Sequence, residues 1–254
     1  MISESTRASR EAARERWDRS FEEQIAQGAY NRAAVEAVVR VVAHHLRERV
    51  PEDALTCLHF LEMGCGAGPN LVWLAQKGLW VSGIDVSPTA LELARRQLQR
   101  SGCADRVERL VEGSVSEVPF PDATFDGIIE ACVFQHLARP DRERAFGEVR
   151  RLLKPGGVFV GYMLDVEHTV FRGEAAEQMA DDPGSLMLTE GGSAVRLEGL
   201  GLSHFFCREE LLALLEGFAV VEPLSTTYEL PSFEAAKRGY REYRQSMWTV
   251  YAVK

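Results

Sequence analysis

Leu61-Glu62-Met63-Gly64-Cys65-Gly66-Ala67-Gly68-Pro69-Asn70 is the stretch whose reading decides the fold of this chain. Before it, residues 57–61 form a short, mostly apolar run, the pattern of a parallel strand buried on both faces. After it, Leu71, Leu74 and Ala75 recur at helical spacing. Three glycines at alternate positions lie between. Glycine admits positive φ and has no Cβ, so the chain can turn sharply and a ligand can approach the backbone. Pro69 suits the first position of a helix, where its missing N–H costs nothing. The expected unit is strand, glycine turn, helix, with free backbone N–H groups directed at a ligand.

Leu79 to Asp85 reads as a second strand ending in a carboxylate. Asp85 lies twenty-one positions after Gly64, where an acid grips ribose hydroxyls in nucleotide-binding α/β folds. The Gly-x-Gly-x-Gly spacing differs from the Gly-x-Gly-x-x-Gly of dinucleotide enzymes and disfavours a dehydrogenase. Glu62-x-Gly-Cys-Gly-x-Gly together with Gly83-Ile84-Asp85-Val86-Ser87 resembles the first two motifs of the class I S-adenosylmethionine-dependent methyltransferases. Pro119-Phe120-Pro121-Asp122-Ala123-Thr124-Phe125-Asp126 and Leu153-Lys154-Pro155-Gly156-Gly157, in which Lys154 to Gly157 read as a turn before strand five, are similar to later segments of that family. The resemblance runs over residues 57–164. It implies an α/β fold with a Rossmann-like, doubly wound seven-stranded sheet, its last strand antiparallel, and helices on both faces. It also implies S-adenosylmethionine as cofactor and S-adenosylhomocysteine as product.

The same resemblance implies a site. Glu62, Gly64, Cys65, Gly66 and Asn70 would hold the methionine end of the cofactor. Asp85 and Val86 would hold ribose and adenine, and Ser114 and Val115 the adenine edge. Family members commonly carry an acid near Ser114; the serine here has no charge, which puts that contact in question. Glu130 closes the fourth strand beside the cofactor. Trp17-Asp18 and Tyr30 look similar to the family's N-terminal segment that covers the cofactor, and an aromatic face attracts a sulfonium. Tyr30, Phe134, Gln135 and Tyr162 are the candidate substrate contacts. The residues after strand four lack the Asp/Asn-Pro-Pro-aromatic signature of nucleic-acid amino methyltransferases, which favours a small-molecule acceptor, an aromatic or amine metabolite.

The rest of the chain fits around this core. Residues 1–50 read as an N-terminal helical lid followed by a packing helix, with Val35, Val38, Val39, Val42 and Leu46 on one face. Residues 51–164 are the cofactor-binding core. Ser87-Pro88 caps and opens the helix after the second strand. Residues 165–206, with turns expected at Asp181-Asp182-Pro183-Gly184 and Gly191-Gly192, read as an insertion after strand five that covers the substrate. Residues 207–254 complete the domain with a helix, a sixth strand, a polar helix over Ser232 to Arg244 with Phe233, Ala236, Tyr240 and Tyr243 on one face, and a seventh strand.

The chain has 254 residues and a net charge of −9, which disfavours broad nucleic-acid binding through phosphates. No apolar run reaches the roughly 18 residues of a membrane helix, and the N-terminus reads as polar without a secretory signal. Five cysteines without Cys-x-x-Cys spacing argue against a disulfide framework or zinc site, and the expected compartment is cytoplasmic.

Methyl transfer needs alignment and water exclusion first, and a general base only where the acceptor keeps its proton. His136, His168 and His204 are the candidate bases; His44, His45 and His59 read as structural. A metal-assisted variant would draw on Glu130, Asp165 and His168, but hard cations want more oxygens, so no metal is expected. Thiol-based chemistry would need several cysteines, and Cys132 and Cys207 are the pair that could approach each other; a cysteine is more commonly a small buried hydrophobe. An RNA methyltransferase on the same scaffold and a non-catalytic partner subunit are the rival readings.

Overall fold

The computed structural model describes residues 4–173, 178–188 and 201–254. The glycine turn behaves as the anticipated switch between strand and helix. His59–Met63 (β1) is buried over most of its length, and Pro69–Gln76 (α3) starts with its proline in the first turn. Trp80–Asp85 (β2) pairs parallel with β1 on one side, and Phe125–Ala131 (β4) pairs parallel with it on the other. β1 is therefore central, and the mostly apolar character of its run follows from burial on both faces.

In chain order, Glu4–Ala26 (α1) and Glu36–Arg49 (α2) precede β1. Pro88–Arg100 (α4) follows β2 and leads to Val107–Glu112 (β3). Arg139–Leu152 (α5) joins β4 to Leu153–Leu164 (β5). Thr169–Arg172 (α6), Gln178–Met179 (β6), Asp182–Leu188 (β7) and Gly201–His204 (β8) come next. Arg208–Leu214 (α7), Val220–Glu229 (β9), Ser232–Lys237 (α8) and Arg244–Val253 (β10) complete the chain.

The main sheet has seven strands in the order β3-β2-β1-β4-β5-β10-β9. β10, the last strand, runs antiparallel between β5 and β9, as the resemblance implied. Val38, Val42 and Leu46 of α2 pack with Leu71, Leu74 and Leu98 on one face. Phe134, Phe146, Phe159 and Phe206 pack on the other. The α4 cap is as expected: Ser87 Oγ accepts from Ala90 N at 3.0 Å, with Pro88 in the first turn.

Three local expectations need correction. The Lys154 to Gly157 turn is a bulge within β5, because Leu153 pairs with Phe125 and Val158 already with Gly127. The turn expected over Asp181 to Gly184 falls earlier, at Ala180-Asp181. Asp182 opens β7, where Arg142 fixes its carboxylate, and β7 pairs antiparallel with β8 in a three-stranded sheet. The inserted segment after β5 therefore carries its own sheet rather than a plain loop; the Gly191-Gly192 turn lies outside the described residues. The polar helix of the C-terminal part ends at Lys237, before Gly239 at φ 77°. Phe233 is exposed and Tyr243 buried, so they do not share one helical face.

Candidate functional site

The carboxyl ends of β1 to β4 open onto a cavity of about 600 Å³. Its floor includes Glu62, Gly64, Cys65, Gly66, Asn70, Asp85, Val86, Ser114 and Val115. α1 supplies Arg16, Trp17, Phe21 and Gln24, and the three-stranded sheet supplies Met179, Met187 and Leu202. Ten of the eleven residues expected at the cofactor thus border one space, whereas Glu130 does not.

The glycine turn works differently from the expectation of free N–H groups. Gly64 N and Cys65 N both donate to Ile84 O, at 2.7 and 3.0 Å, and Gly68 N donates to Cys65 O at 2.9 Å. Gly66 N donates to Asp85 Oδ2 at 2.8 Å, and Ser87 N donates to Asp85 Oδ1 at 2.9 Å. The turn folds onto the end of β2, with two of its donors on the Ile84 carbonyl and one, Gly66 N, on the Asp85 carboxylate. A ligand therefore meets acceptor oxygens here, which suits hydroxyl and ammonium groups rather than phosphate. Burial raises the Asp85 carboxyl above its usual range, and the backbone donors of Ser87 and Gly66 oppose that shift.

Glu62 is almost fully buried. Its Oε1 accepts from Asn70 Nδ2 at 2.7 Å, while its Oε2 is buried with no partner. Burial pushes the carboxyl up to about 8. An unsatisfied buried carboxylate oxygen is costly and marks the place of a donor that a ligand would bring. Asn70 Oδ1 in turn accepts from Val35 N at 2.8 Å, so one amide joins the head of α2 to Glu62.

Ser114 is linked through Ser116 to a carboxylate far from it in sequence. Its Oγ lies 2.8 Å from Ser116 Oγ, which donates to Asp141 Oδ1 at 2.8 Å. Asp141, in the first turn of α5, also lines the cavity. The negative charge missing at Ser114 is thus supplied from another helix. Asp18, which sequence marks out only as the neighbour of Trp17, has a role of its own. Its Oδ1 accepts from Ser87 Oγ at 2.6 Å and from Thr89 N at 3.0 Å, which clamps α1 onto the head of α4.

Of the three candidate bases, only His136 borders the cavity. Its ring stands 5.1 Å from that of Trp17. Nδ1–H donates to Leu202 O at 3.1 Å, and Nε2 then accepts from Gln135 Nε2 at 3.2 Å. Burial holds it near 4, and the Arg16 charge pushes in the same direction. His136 is therefore neutral, with both nitrogens engaged. His168 caps α6, its Nδ1 accepting from Val170 N at 3.2 Å. His204 lies between Ser185 Oγ and Glu210 Oε2, each 2.8 Å away. Neither lines the cavity.

The expected substrate contacts are placed outside it as well. Phe134 is in the core, Gln135 Oε1 accepts from Leu164 N at 2.9 Å, and Tyr162 is half-buried behind β4. Tyr30 lies under the Arg32 guanidinium. Glu130 accepts from Val133 N, Phe134 N and Tyr162 N and so ties the turn after β4 to β5. Asp165 accepts from Ser225 Oγ and Ser246 Oγ. Glu130, Asp165 and His168 thus have internal roles, and among the described residues no group of three or more His, Cys, Asp or Glu could hold a metal ion. Cys132 does reach the cavity, in a left-handed conformation at φ 61°. Cys207 lies outside it, just before α7.

Residues 61–161 match a family model described as a methyltransferase domain. Over 220 residues the chain is 28% identical to a sterol 24-C-methyltransferase of Gibberella zeae, covering 80% of this chain and 53% of that protein. Over 100 residues it is 39% identical to a methyltransferase, GfsG, of Streptomyces halstedii, covering 38% of this chain and 34% of that one. The chain thus spans between a third and about half of the length of these curated relatives. A Burkholderia thailandensis 1,6-didemethyltoxoflavin-N1-methyltransferase, crystallised with bound 1,6-didemethyltoxoflavin and S-adenosylhomocysteine, shares the fold. Its TM-score is 0.61 at 18% identity, with 100% of this chain and 91% of that chain covered.

Proposed function

We propose that this chain, a class I S-adenosylmethionine-dependent methyltransferase by sequence family and fold, transfers a methyl group to a nitrogen or oxygen of a small-molecule metabolite without a metal ion. The observation that carries the reading is the unpartnered, buried Oε2 of Glu62 in the same cavity as the positioned Asp85 carboxylate. Glu62 Oε2 would accept from the ammonium of the cofactor. Each Asp85 oxygen, holding one backbone donor, has a lone pair left for a ribose hydroxyl. Ser114, Val115 and Asp141 would border the adenine, and Trp17 would cover the sulfur end.

When bound, the cofactor supplies a methyl group on a cationic sulfur. The chain's own residues align and enclose. Asp18 holds α1 over the cavity, and the side chains of Trp17, Phe21 and Leu202 keep water from it. His136, neutral and engaged at both nitrogens, fixes the wall beside Leu202. The reading therefore assigns no proton transfer to the three histidines, and the acceptor enters as a free amine or an oxyanion. The sterol and toxoflavin-precursor methyltransferases that the chain is similar to support a small acceptor.

S-adenosylhomocysteine should bind at micromolar concentration by calorimetry, and Asp85→Ala should weaken that binding by about 1–3 kcal/mol, as for lost charge-assisted hydrogen bonds. Failure of the wild-type protein to bind would reject the reading.

Glu62 adds a proton-linked prediction. Folding raises its carboxyl from 4.5 to about 8, so the ligand-free protein should lose stability as pH rises through that window. An ammonium on Oε2 reverses the shift, and binding near pH 7 should release up to about one proton. Calorimetry in two buffers of different ionisation enthalpy measures this. Glu62→Gln should abolish the release, and a wild-type binding heat that does not change with buffer would contradict the assignment.

A further inference from the structure

We infer that the methyl acceptor is an apolar small molecule carrying one carboxylate, which Arg16 binds. The inference rests on the cofactor reading above and adds the substrate class.

Among the described residues, Arg16 is the only lysine or arginine that lines the cavity. Its Nε is buried without a hydrogen-bond partner, and among the described residues no carboxylate pairs with the guanidinium. A guanidinium nitrogen taken from water and left unpaired, as the Nε of the half-buried Arg16 is, is unfavourable, whereas a carboxylate matches the planar donors two at a time. Arginines at the surface of this chain, such as Arg14, Arg40 and Arg96, do have acidic partners. The free donor is thus found where a ligand enters.

The direction of Arg16 separates it from the cofactor's polar ends. Arg14 and Asp18 face β3 and α4, through Glu112 and through Ser87 and Thr89. Arg16, two residues from each, projects from the opposite side of α1. There it meets β8: a Cβ at Gly201 would lie 2.6 Å from Arg16 Nη1. Phe21, five residues further along α1, is the side chain that faces Gly66. Arg16 therefore serves the side of the cavity closed by the inserted sheet, not the glycine turn or the ribose carboxylate.

The surroundings define the rest of the ligand. Trp17, Met179, Met187 and Leu202 are apolar, and Met187 is 53% exposed, an unbranched side chain free to fit an apolar body. A single cation suits a monoanion; a phosphate dianion would call for more. An anion between Arg16 and the cationic sulfur would also offset the repulsion between those two charges.

The test uses protein saturated with S-adenosylhomocysteine and matched probes: octanoate against octanamide, and 3-phenylpropanoate against 3-phenylpropanamide. Calorimetry should show each acid binding about tenfold or more tighter than its amide. Arg16→Gln should erase that preference and leave the affinity for S-adenosylhomocysteine within about twofold, and Arg16→Lys should retain part of the preference. Acids that bind no better than amides, or fail to bind at about millimolar concentration, would overturn the inference, as would a preference that survives Arg16→Gln. A roughly tenfold loss of S-adenosylhomocysteine affinity in Arg16→Gln would overturn it too, by assigning the guanidinium to the cofactor. If the wild-type protein fails at the saturation step, the cofactor reading itself falls.

Discussion

Gly64→Ala should abolish S-adenosylhomocysteine binding and lower stability by about 2–5 kcal/mol, about 1–2 from the left-handed backbone and about 1–3 from overpacking. Gly64 has φ 79°, a conformation that a Cβ makes costly. A Cβ there would also overlap both methyl groups of Val133, which follows β4 and lines the same cavity. Neither neighbour yields easily. Gly64 N is held by Ile84 O, and Val133 N by Glu130 Oε2. The double variant Gly64→Ala/Val133→Ala should recover the overpacking part and keep the backbone part. Denaturant unfolding separates the two. A single variant within about 0.5 kcal/mol of wild type would show that the turn has far more freedom than its hydrogen bonds imply.

Arg142→Ala should cost about 3–5 kcal/mol, the loss expected when one partner leaves a buried ion pair. Arg142 is only 1% exposed. Its guanidinium donates to both oxygens of Asp182, at 2.8 and 3.2 Å, and to Leu137 O at 3.2 Å, and it lies 3.5 Å from Glu210. It thereby joins α5 to β7 of the inserted sheet and to the cavity wall at Leu137. Without it Asp182 keeps, among the described residues, only Ser185 Oγ, with the His204 ring nearby. Arg142→Lys should fall nearly as far, because an ammonium cannot reproduce the two-pronged contact. Unfolding should show the loss, and hydrogen exchange should show β7 and β8 opening before the main sheet. An Arg142→Ala protein of wild-type stability would mean that Asp182 is solvated and the inserted sheet is held by other contacts.

Arg142 also shows how far the sequence can be read. It stands three residues before Ala145 and seven before Val149, on the inward stripe of α5. A charged residue on an apolar stripe signals a buried pair, but nothing along the chain points to Asp182, forty residues on. The same limit applies to Asp141. Ser114 is legible as a departure from the family pattern, yet its replacement charge comes from a helix twenty-seven positions later through Ser116.

The histidines mark another limit. His136, His168 and His204 are indistinguishable as residue types. Folding places one at the cavity with both nitrogens engaged and gives the other two to a helix cap and a buried network. Arg16 is inconspicuous along the chain, since in a segment rich in arginine and glutamate it resembles its neighbours.

Sequence by itself determined the strand–glycine turn–helix unit, the carboxylate closing the second strand, and the antiparallel last strand of a seven-stranded sheet. The first two follow from local periodicity and from the few residue types that tolerate positive φ; the direction of the last strand followed from the family resemblance of the motifs. Tertiary structure decided the rest: that the turn's N–H groups are divided between the Ile84 carbonyl and Asp85, and that, among the described residues, Glu62 keeps an open oxygen and Arg16 faces the inserted sheet without a carboxylate partner. Hydrogen-bond satisfaction and burial depend on groups far apart in sequence, and only packing determines which donor meets which acceptor.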